Sequence, residues 1–519
     1  MPNKQRLKKI ISTTNHQPRR PFIPGYLAWD GLLVGSLILG TFLRFYRLSE
    51  NLVFHGELGH NYLAIKNFVA EGSVPLIGPP TSHPWLAFGP LYYWLMAPLL
   101  FLGRFDPTTG ALFMALISVV ALVAMYWVGE KLFDRRVAIL STYLMAISPA
   151  WVSLARESRF YSLVALLFFL FLFFLVRALE DAKTSSGKQQ KATNLFWVGM
   201  FLAVMLNFHL TPLALLPGTL ILLYIHRRQL KKKALLLGGV GFIIPSLPFL
   251  LGDVQNRFSM LTKLLIWVPY RVLGFLGFYP RNNITTQIAE KNLSSLYDFF
   301  SQSFVIDAKI LGFILVGGVT LFAARRTVRT LGENRKDWSW LTLTALFVIG
   351  YIGLFIHADP PAHYFVTLLP IPILFLGLLL GQLFGKRAGQ VLVTLVLFLM
   401  TVTNLRFFFS EKWFFLPETQ ILKDGRVPYR VQLEAAKTIV ATARGEQFSL
   451  SRVGPFDQFE DNYAQNYQYL LWWLGNEPVK DTKIRYTVYE DITKLPQIHK
   501  GKVYWIGNLA VLRVEKPMR

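Results

Sequence analysis

At 519 residues the chain is 53% hydrophobic with a mean hydropathy of +0.39, too apolar for an ordinary water-soluble protein of this length. It contains no cysteine, which excludes disulfides, thiolate catalysis and cysteine-based zinc sites. Its formal net charge is +24, but the basic residues fall in short clusters between apolar runs, the pattern of loops held at a cytoplasmic membrane face rather than of a nucleic-acid-binding surface.

Residues 1–25 form a polar tail carrying Lys4, Arg6, Lys8, Lys9, Arg19 and Arg20, without the apolar core or small-residue cleavage site of a secretory signal. It is expected to be cytoplasmic. Residues 26–45 then make a first span running outward, and residues 46–108 a first exterior loop. Within that loop the stretch 52–94 holds the acid Glu57, the histidines His55, His60 and His83, two proline-rich turns and an aromatic cluster. A backbone so rich in proline and glycine leaves amides unpaired and cannot face lipid, so it lies outside the hydrocarbon or lines a cavity. Residues 89–103, with two prolines, read as a juxtamembrane or re-entrant helix.

The basic turns at 129–136, 182–191, 227–233, 325–336 and 386–387 are placed on the cytoplasmic side. Apolar runs between them then alternate across the membrane: 109–128, 137–155, 159–178, 194–208, 211–226, 234–251, 308–324, 340–357, 364–384 and 390–409. With the first span this gives about 11–13 transmembrane helices in a domain covering residues 26–409, the upper values applying if 89–103 also crosses. The turns at 156–159 and 357–363 and a long loop at 252–307 join the first loop on the exterior face. After residue 409 polarity rises. Alternating runs at 484–489 and 502–514 predict strands, and 431–443 an amphipathic helix, so residues 410–519 are read as a small soluble α+β domain outside the membrane. Nothing in the chain resembles a P-loop, a dinucleotide fingerprint or a solenoid repeat.

Three constellations face the exterior. Glu57 is positioned as a proton acceptor for a hydroxyl or amine nucleophile; the alternative is a loop carboxylate paired with Lys66 or Arg47. At 155–161, the sequence ARESRFY sets Arg156, Glu157, Arg159 and Tyr161 at a span boundary. Charges there usually face a cavity or one another, and arginine offers a planar fork suited to phosphate; a charged turn neutralised by Glu157 is the competing reading. At 357–364, HADPPAHY brings His363 and Tyr364 to the same face, with Asp359 a spare carboxylate. His55, His60 and His83 beside Glu57 match no metal-ligand spacing, so a divalent metal is not expected. Asn207 and His209 sit at a hairpin apex, where polar residues are common.

In RFYRL at 44–48 followed by an acid, PLIGPPTSHPWLAFGPLYYWLMAPLLFLG at 75–103, GEKLFDRRVAIL at 129–140, SPAWVSLARESRFYSL at 148–163 and AHYFVTLLP at 362–370, the chain resembles the GT-C superfamily of polyprenyl-phosphate-sugar-dependent glycosyltransferases. Within it the sequence is most similar to the bacterial protein mannosyltransferase and aminoarabinose transferase group, glycosyltransferase family 39-like. The resemblance covers residues 27–409. It implies an all-α polytopic fold with an extracytoplasmic active site in the cell (inner) membrane and an inverting sugar transfer without a metal cofactor. The acceptor would be a protein, a lipid such as lipid A, or a cell-envelope glycan. It puts the base on Glu57 and phosphate contacts on Arg156, Arg159, His363 and Tyr364, with Glu157, Tyr161, His60, His83 and Asp359 in support. Many relatives carry an Asp-Glu pair in the first loop, whereas Gly56 precedes Glu57 here. A transporter or flippase of lipid-linked saccharide, or a catalytically inactive GT-C-like scaffold, are the rival readings. A transporter calls for inverted repeats and a midplane site; no repeat is apparent and the polar residues gather on one face, which favours the enzyme, while the missing first-loop Asp is what favours the scaffold.

Overall fold

Lipid offers no partner to a free amide, so the apolar runs close their hydrogen bonds within themselves as helices. The computed structural model describes residues 24–81, 83–181, 190–275, 278, 286–333, 337–355, 362–416, 421, 427–454, 464–497 and 501–515. Helices long and apolar enough to cross a membrane are α1 (Pro24–Phe45), α4 (Thr109–Leu132), α7 (Tyr161–Asp181), α10 (Lys232–Gln255), α13 (Lys309–Gly332) and α16 (Arg387–Phe408). A bent pair, α5 (Arg135–Ile147) and α6 (Pro149–Ala155), adds a broken span. Shorter apolar helices are α3 (Leu91–Leu102), α8 (Gln190–Phe208), α9 (Leu215–Ile225), α14 (Trp338–Phe355) and α15 (Pro370–Leu383). Each run expected as a span overlaps helix, six of them, or seven with the bent pair, long and apolar enough to cross a membrane, and 89–103 contains α3. The molecule is a polytopic all-α membrane protein with a small α+β C-terminal domain.

Burial orders the bundle. Two-thirds of the α7 span (67%) is covered by protein, against 17% for α10 and for α13, so α7 is central and the others face lipid. Arg44, fully buried at the end of α1, staples that helix to its neighbours by donating from Nε to Ser118 Oγ at 2.8 Å and from its Nη atoms to the carbonyls of Gly40, Ala146 and Met145. Helices α8 and α10 run side by side in the same direction; a Cβ on Gly199 would fall 2.0 Å from the Gly238 carbonyl oxygen. Small residues permit this approach where lipid supplies no hydrophobic drive. The break between α5 and α6, a 64° bend, falls at Ser148–Pro149, where Ser148 caps the new helix and proline occupies its first position. The break delivers the chain to the turn at 156–160.

The first loop contains a helix that sequence reading left undivided, α2 (Gly56–Glu71), followed by a hairpin in which Gly78 and Phe88 pair through the backbone. The segment 252–307, read as a long loop, includes α11 (Ser259–Phe275) and α12 (Thr286–Phe304). In the C-terminal domain α17 (Tyr429–Ala443) and α18 (Gln465–Trp473) accompany a four-stranded sheet of order β1-β2-β4-β3. Its strands are β1 (Phe448–Val453), β2 (Ile484–Tyr489), β3 (Lys502–Ile506) and β4 (Leu509–Glu515). The first two run parallel and the remaining pairs antiparallel. The run 502–514, expected as one strand, is a hairpin folded at Gly507, whose φ of 58° suits glycine.

This domain rests on the first loop. Gln432 Nε2 donates to the Phe54 carbonyl at 2.7 Å, Lys66 pairs with Glu477 at 2.6 Å, and Tyr469 Oη donates to the Phe105 carbonyl at 2.6 Å. The N-terminus of α18 comes so close to α2 that a Cβ on Gly59 would lie 2.4 Å from both Gln465 O and Asn466 N. Gly59→Ala must push the domain and α2 apart, at a cost of about 1–3 kcal/mol. Thermal unfolding of the purified protein should show a lower Tm; an unchanged Tm would contradict the contact.

Candidate functional site

Residues 53–57 and 157–161 are brought together by backbone. Val53 and Glu157 form an isolated parallel bridge, which sets the start of α2 against the turn between α6 and α7. His55 is the N-cap of α2 in extended conformation and Glu57 lies in its first turn, where the helix dipole favours a carboxylate. Across the gap Arg159 Nη2 stands 3.8 Å from Glu57 Oε2, and Arg159 Nε stands 3.6 Å from Glu157 Oε2. The same guanidinium donates from Nε to His55 Nε2 at 3.1 Å, with Nη2 also against that nitrogen, and from Nη1 to Tyr161 Oη at 2.7 Å. The side chain of Glu57 is one-third exposed (33%) and that of Arg159 one-fifth (20%), so the pair is reachable from solvent.

These contacts fix charge states. Burial opposes the charge of Arg159, but Tyr161, Glu57 and Glu157 outweigh it and raise its pKa, so it is a permanent cation. His55 is driven well below the ordinary histidine value by burial, then by Arg159 and His363, and is neutral. Because its Nε2 accepts from Arg159, its proton resides on Nδ1. One guanidinium thus faces two carboxyl groups, one from each of the two segments.

Tyr161 extends the cluster. Its ring lies 5.9 Å from that of His363 and 6.3 Å from that of His209, and His209 in turn lies 5.7 Å from Tyr364. His209 Nδ1 bonds Thr211 Oγ1 at 2.7 Å, and Thr211 bonds Thr367 at 2.9 Å, tying the α8–α9 connection to the short 3-10 turn Ala362–Thr367. Glu57, Arg159, Glu157, Tyr161, His363 and Tyr364 are therefore gathered in one region. His55 and His209 belong with them although sequence reasoning gave His55 only a metal role and His209 none. The signal for His209 was its place in the α8–α9 turn, at the same end of the bundle as the other three segments.

Other expected site residues stand elsewhere. Arg156, expected with Arg159 at a phosphate, is buried and donates to the carbonyls of Leu43, Arg44, Tyr46 and Arg47 at 2.9–3.2 Å. Its guanidinium closes the C-terminal end of α1, whose last carbonyls have no partners within the helix. His60 turns toward Gln465 of α18, and burial lowers its pKa despite the opposing influence of Gln465 and Glu57. His83 stacks on Trp85 at 5.6 Å and meets Trp267 of α11 at 5.2 Å. Asp359 and His357 lie outside the described residues. Among the described residues no group of three His, Cys, Asp or Glu is placed to hold a metal ion.

A family model described as dolichyl-phosphate-mannose-protein mannosyltransferase matches residues 82–251. ArnT from Cupriavidus metallidurans, solved bound to undecaprenyl phosphate, superposes with a TM-score of 0.59 at 13% identity, covering 94% of this chain and 98% of that one. The chain has the GT-C fold. The Archaeoglobus fulgidus oligosaccharyltransferase, solved with Zn and sulfate, gives a TM-score of 0.51 at 11% identity over 88% of this chain and 67% of that one. AglB from the same archaeon, in complex with an inhibitory peptide and a dolichol-phosphate, gives 0.50 at 12% identity over 89% and 69%. No curated protein matches the chain.

Two outcomes follow from the site's geometry. Arg156→Met leaves four carbonyls without their donor and should cost about 3 kcal/mol of stability. A variant that folds like the parent and only loses donor affinity would overturn the structural role. His209 is held well below its ordinary value of 6.5 by burial, then by His363 and Arg159, so the unfolded chain binds more protons in acid. Stability should fall as pH drops below about 6.5, and His209→Gln should lessen that fall; equal pH dependence in both proteins would contradict it.

Proposed function

We propose that this protein is an integral-membrane glycosyltransferase that moves a sugar from a polyprenyl-phosphate donor to an acceptor on the extracytoplasmic face, with Glu57 as general base. The observation that carries this reading is the solvent-reachable carboxylate of Glu57, 3.8 Å from a permanent arginine cation at the meeting point of four loop segments. The GT-C fold supports it, as do the partial match to the mannosyltransferase family and the polyprenyl phosphate bound by ArnT.

In the reaction Glu57 accepts the proton of the acceptor hydroxyl or amine as its heteroatom attacks the anomeric carbon. The bond from that carbon to the phosphate oxygen breaks on the opposite face, so a single displacement inverts the configuration. Polyprenyl phosphate leaves with the electron pair. Arg159 compensates the growing negative charge, assisted by hydrogen-bond donors from Tyr161, His363 and Tyr364. His55 and Glu157 hold the guanidinium in place, and a resident metal is not invoked.

Glu57→Gln preserves shape and removes the base. Sugar transfer in proteoliposomes supplied with a polyprenyl-phosphate sugar should drop about 100-fold or more, with unchanged expression and Tm; retained turnover would reject the assignment. Arg159→Ala should weaken donor binding, and an unaltered donor KM would remove it from the phosphate site. Chelation with EDTA should leave turnover intact, whereas a loss restored by a divalent cation would require a metal.

A further inference from the structure

The turn joining α9 to α10 carries Arg227, Arg228, Lys231, Lys232 and Lys233 within seven residues. All five are exposed. The turn is well formed: Gln229 and Leu230 both donate their backbone N–H to the His226 carbonyl, at 2.9 and 3.1 Å, and the Leu230 side chain is buried. Arg227 lies 3.9 Å over the ring of Tyr224.

Several other cations at this end of the bundle have acids. Arg135 pairs with Asp30, Arg326 with Asp337 at 2.9 Å and Arg329 with Glu333 at 2.9 Å. The five cations of the α9–α10 turn meet no carboxylate among the described residues. Three of them stand at the start of α10, the end of a helix where positive charge is unfavourable. Stability of the helix therefore gives no reason for them. The flanking surface is apolar and open: Tyr224 and Ile225 are 64% and 56% exposed on one side, and Leu235 and Leu236 are 42% and 69% exposed on the other. Such a surface sits in acyl chains with its charges at headgroup depth.

We propose that the α9–α10 turn binds the headgroups of anionic phospholipids in the surrounding bilayer. The turn lies at the far end of α9 from Thr211 and the site cluster, about 16 Å away by helix rise alone, so it is separate from the donor site proposed above. Charge complementarity selects the partner: five uncompensated cations at headgroup depth take a lipid phosphate in place of a carboxylate. The same charges also orient the helices during insertion, but lipid selection is a property of the inserted protein and can be measured there.

The full chain, reconstituted in phosphatidylcholine bilayers, is probed with spin-labelled phosphatidylglycerol and spin-labelled phosphatidylcholine, and the relative association of the two lipids is read by electron paramagnetic resonance. The wild type should prefer phosphatidylglycerol, and raising salt from 0.1 M to 1 M should abolish the preference as the screening length shrinks from about 10 to about 3 Å. The variant R227Q/R228Q/K231Q/K232Q/K233Q should reduce selectivity at least fivefold, the expectation for even one basic residue at an anionic surface. The variant K386Q/R387Q, on the same face, should retain most of it. No preference in the wild type, a preference that survives 1 M salt, or equal selectivity in the five-site variant would each overturn the proposal. The salt series needs no variant, so a preference that survives 1 M salt overturns the proposal even if the five-site protein inserts poorly, and the contrast between the five-site and K386Q/R387Q variants assigns the preference to this turn.

Discussion

The guanidinium of Arg159 receives a carboxylate from the start of α2, another from its own turn, an imidazole nitrogen from the α2 cap and a phenol from the start of α7. Two of these groups are neighbours of Arg159 in its own turn and two come from a segment about a hundred residues away, and the Val53–Glu157 backbone bridge is what lets one side chain meet all of them. A cation that is partly buried and shared among several acceptors has few alternative positions, because leaving any acceptor strands it in a medium of low dielectric. The position of Glu57 depends on that constraint, and with it the chemistry proposed for the site.

Support for the arrangement comes from both sides. Beneath it Arg156 closes α1 and Arg44 ties α1 to α4 and α5, so two buried arginines hold the bundle end on which the turn sits. Above it the C-terminal domain presses α18 against α2 at Gly59, two residues beyond Glu57. The soluble domain and the membrane bundle thus share the helix that carries Glu57. That union explains why the first loop is rich in aromatic residues: Phe54, Tyr62 and Tyr469 pack together, with ring centroids 5.3–5.9 Å apart, across the boundary between domain and bundle.

Much of the fold was legible in sequence because a bilayer leaves few options. Runs of apolar residues must be helical, and each expected span contains one. The α5–α6 bend was signalled by Ser148–Pro149, which a reading by length alone passed over. The helices of 252–307 were obscured because α12 has the polar, amphipathic composition of a surface segment rather than the uniform apolarity of a span. At the site, Glu57 and Arg159 were recoverable from their places at span boundaries. Arg156 was not separable from Arg159 by type or spacing, and only its four carbonyl partners reveal that it serves the backbone. His55 and His209 escaped because their roles depend on neighbours more than a hundred residues away, or on a ring cluster that no local pattern encodes.

The central claim is that the residue at position 57 is open to water on the extracytoplasmic side, beside the polyprenyl phosphate. Since the chain has no cysteine, Glu57→Cys introduces a unique thiol, and its modification by a membrane-impermeant maleimide in intact cells reads that access directly. The account predicts labelling from outside that added polyprenyl phosphate suppresses. Labelling only after the membrane is permeabilised, or labelling that the lipid leaves untouched, would contradict it.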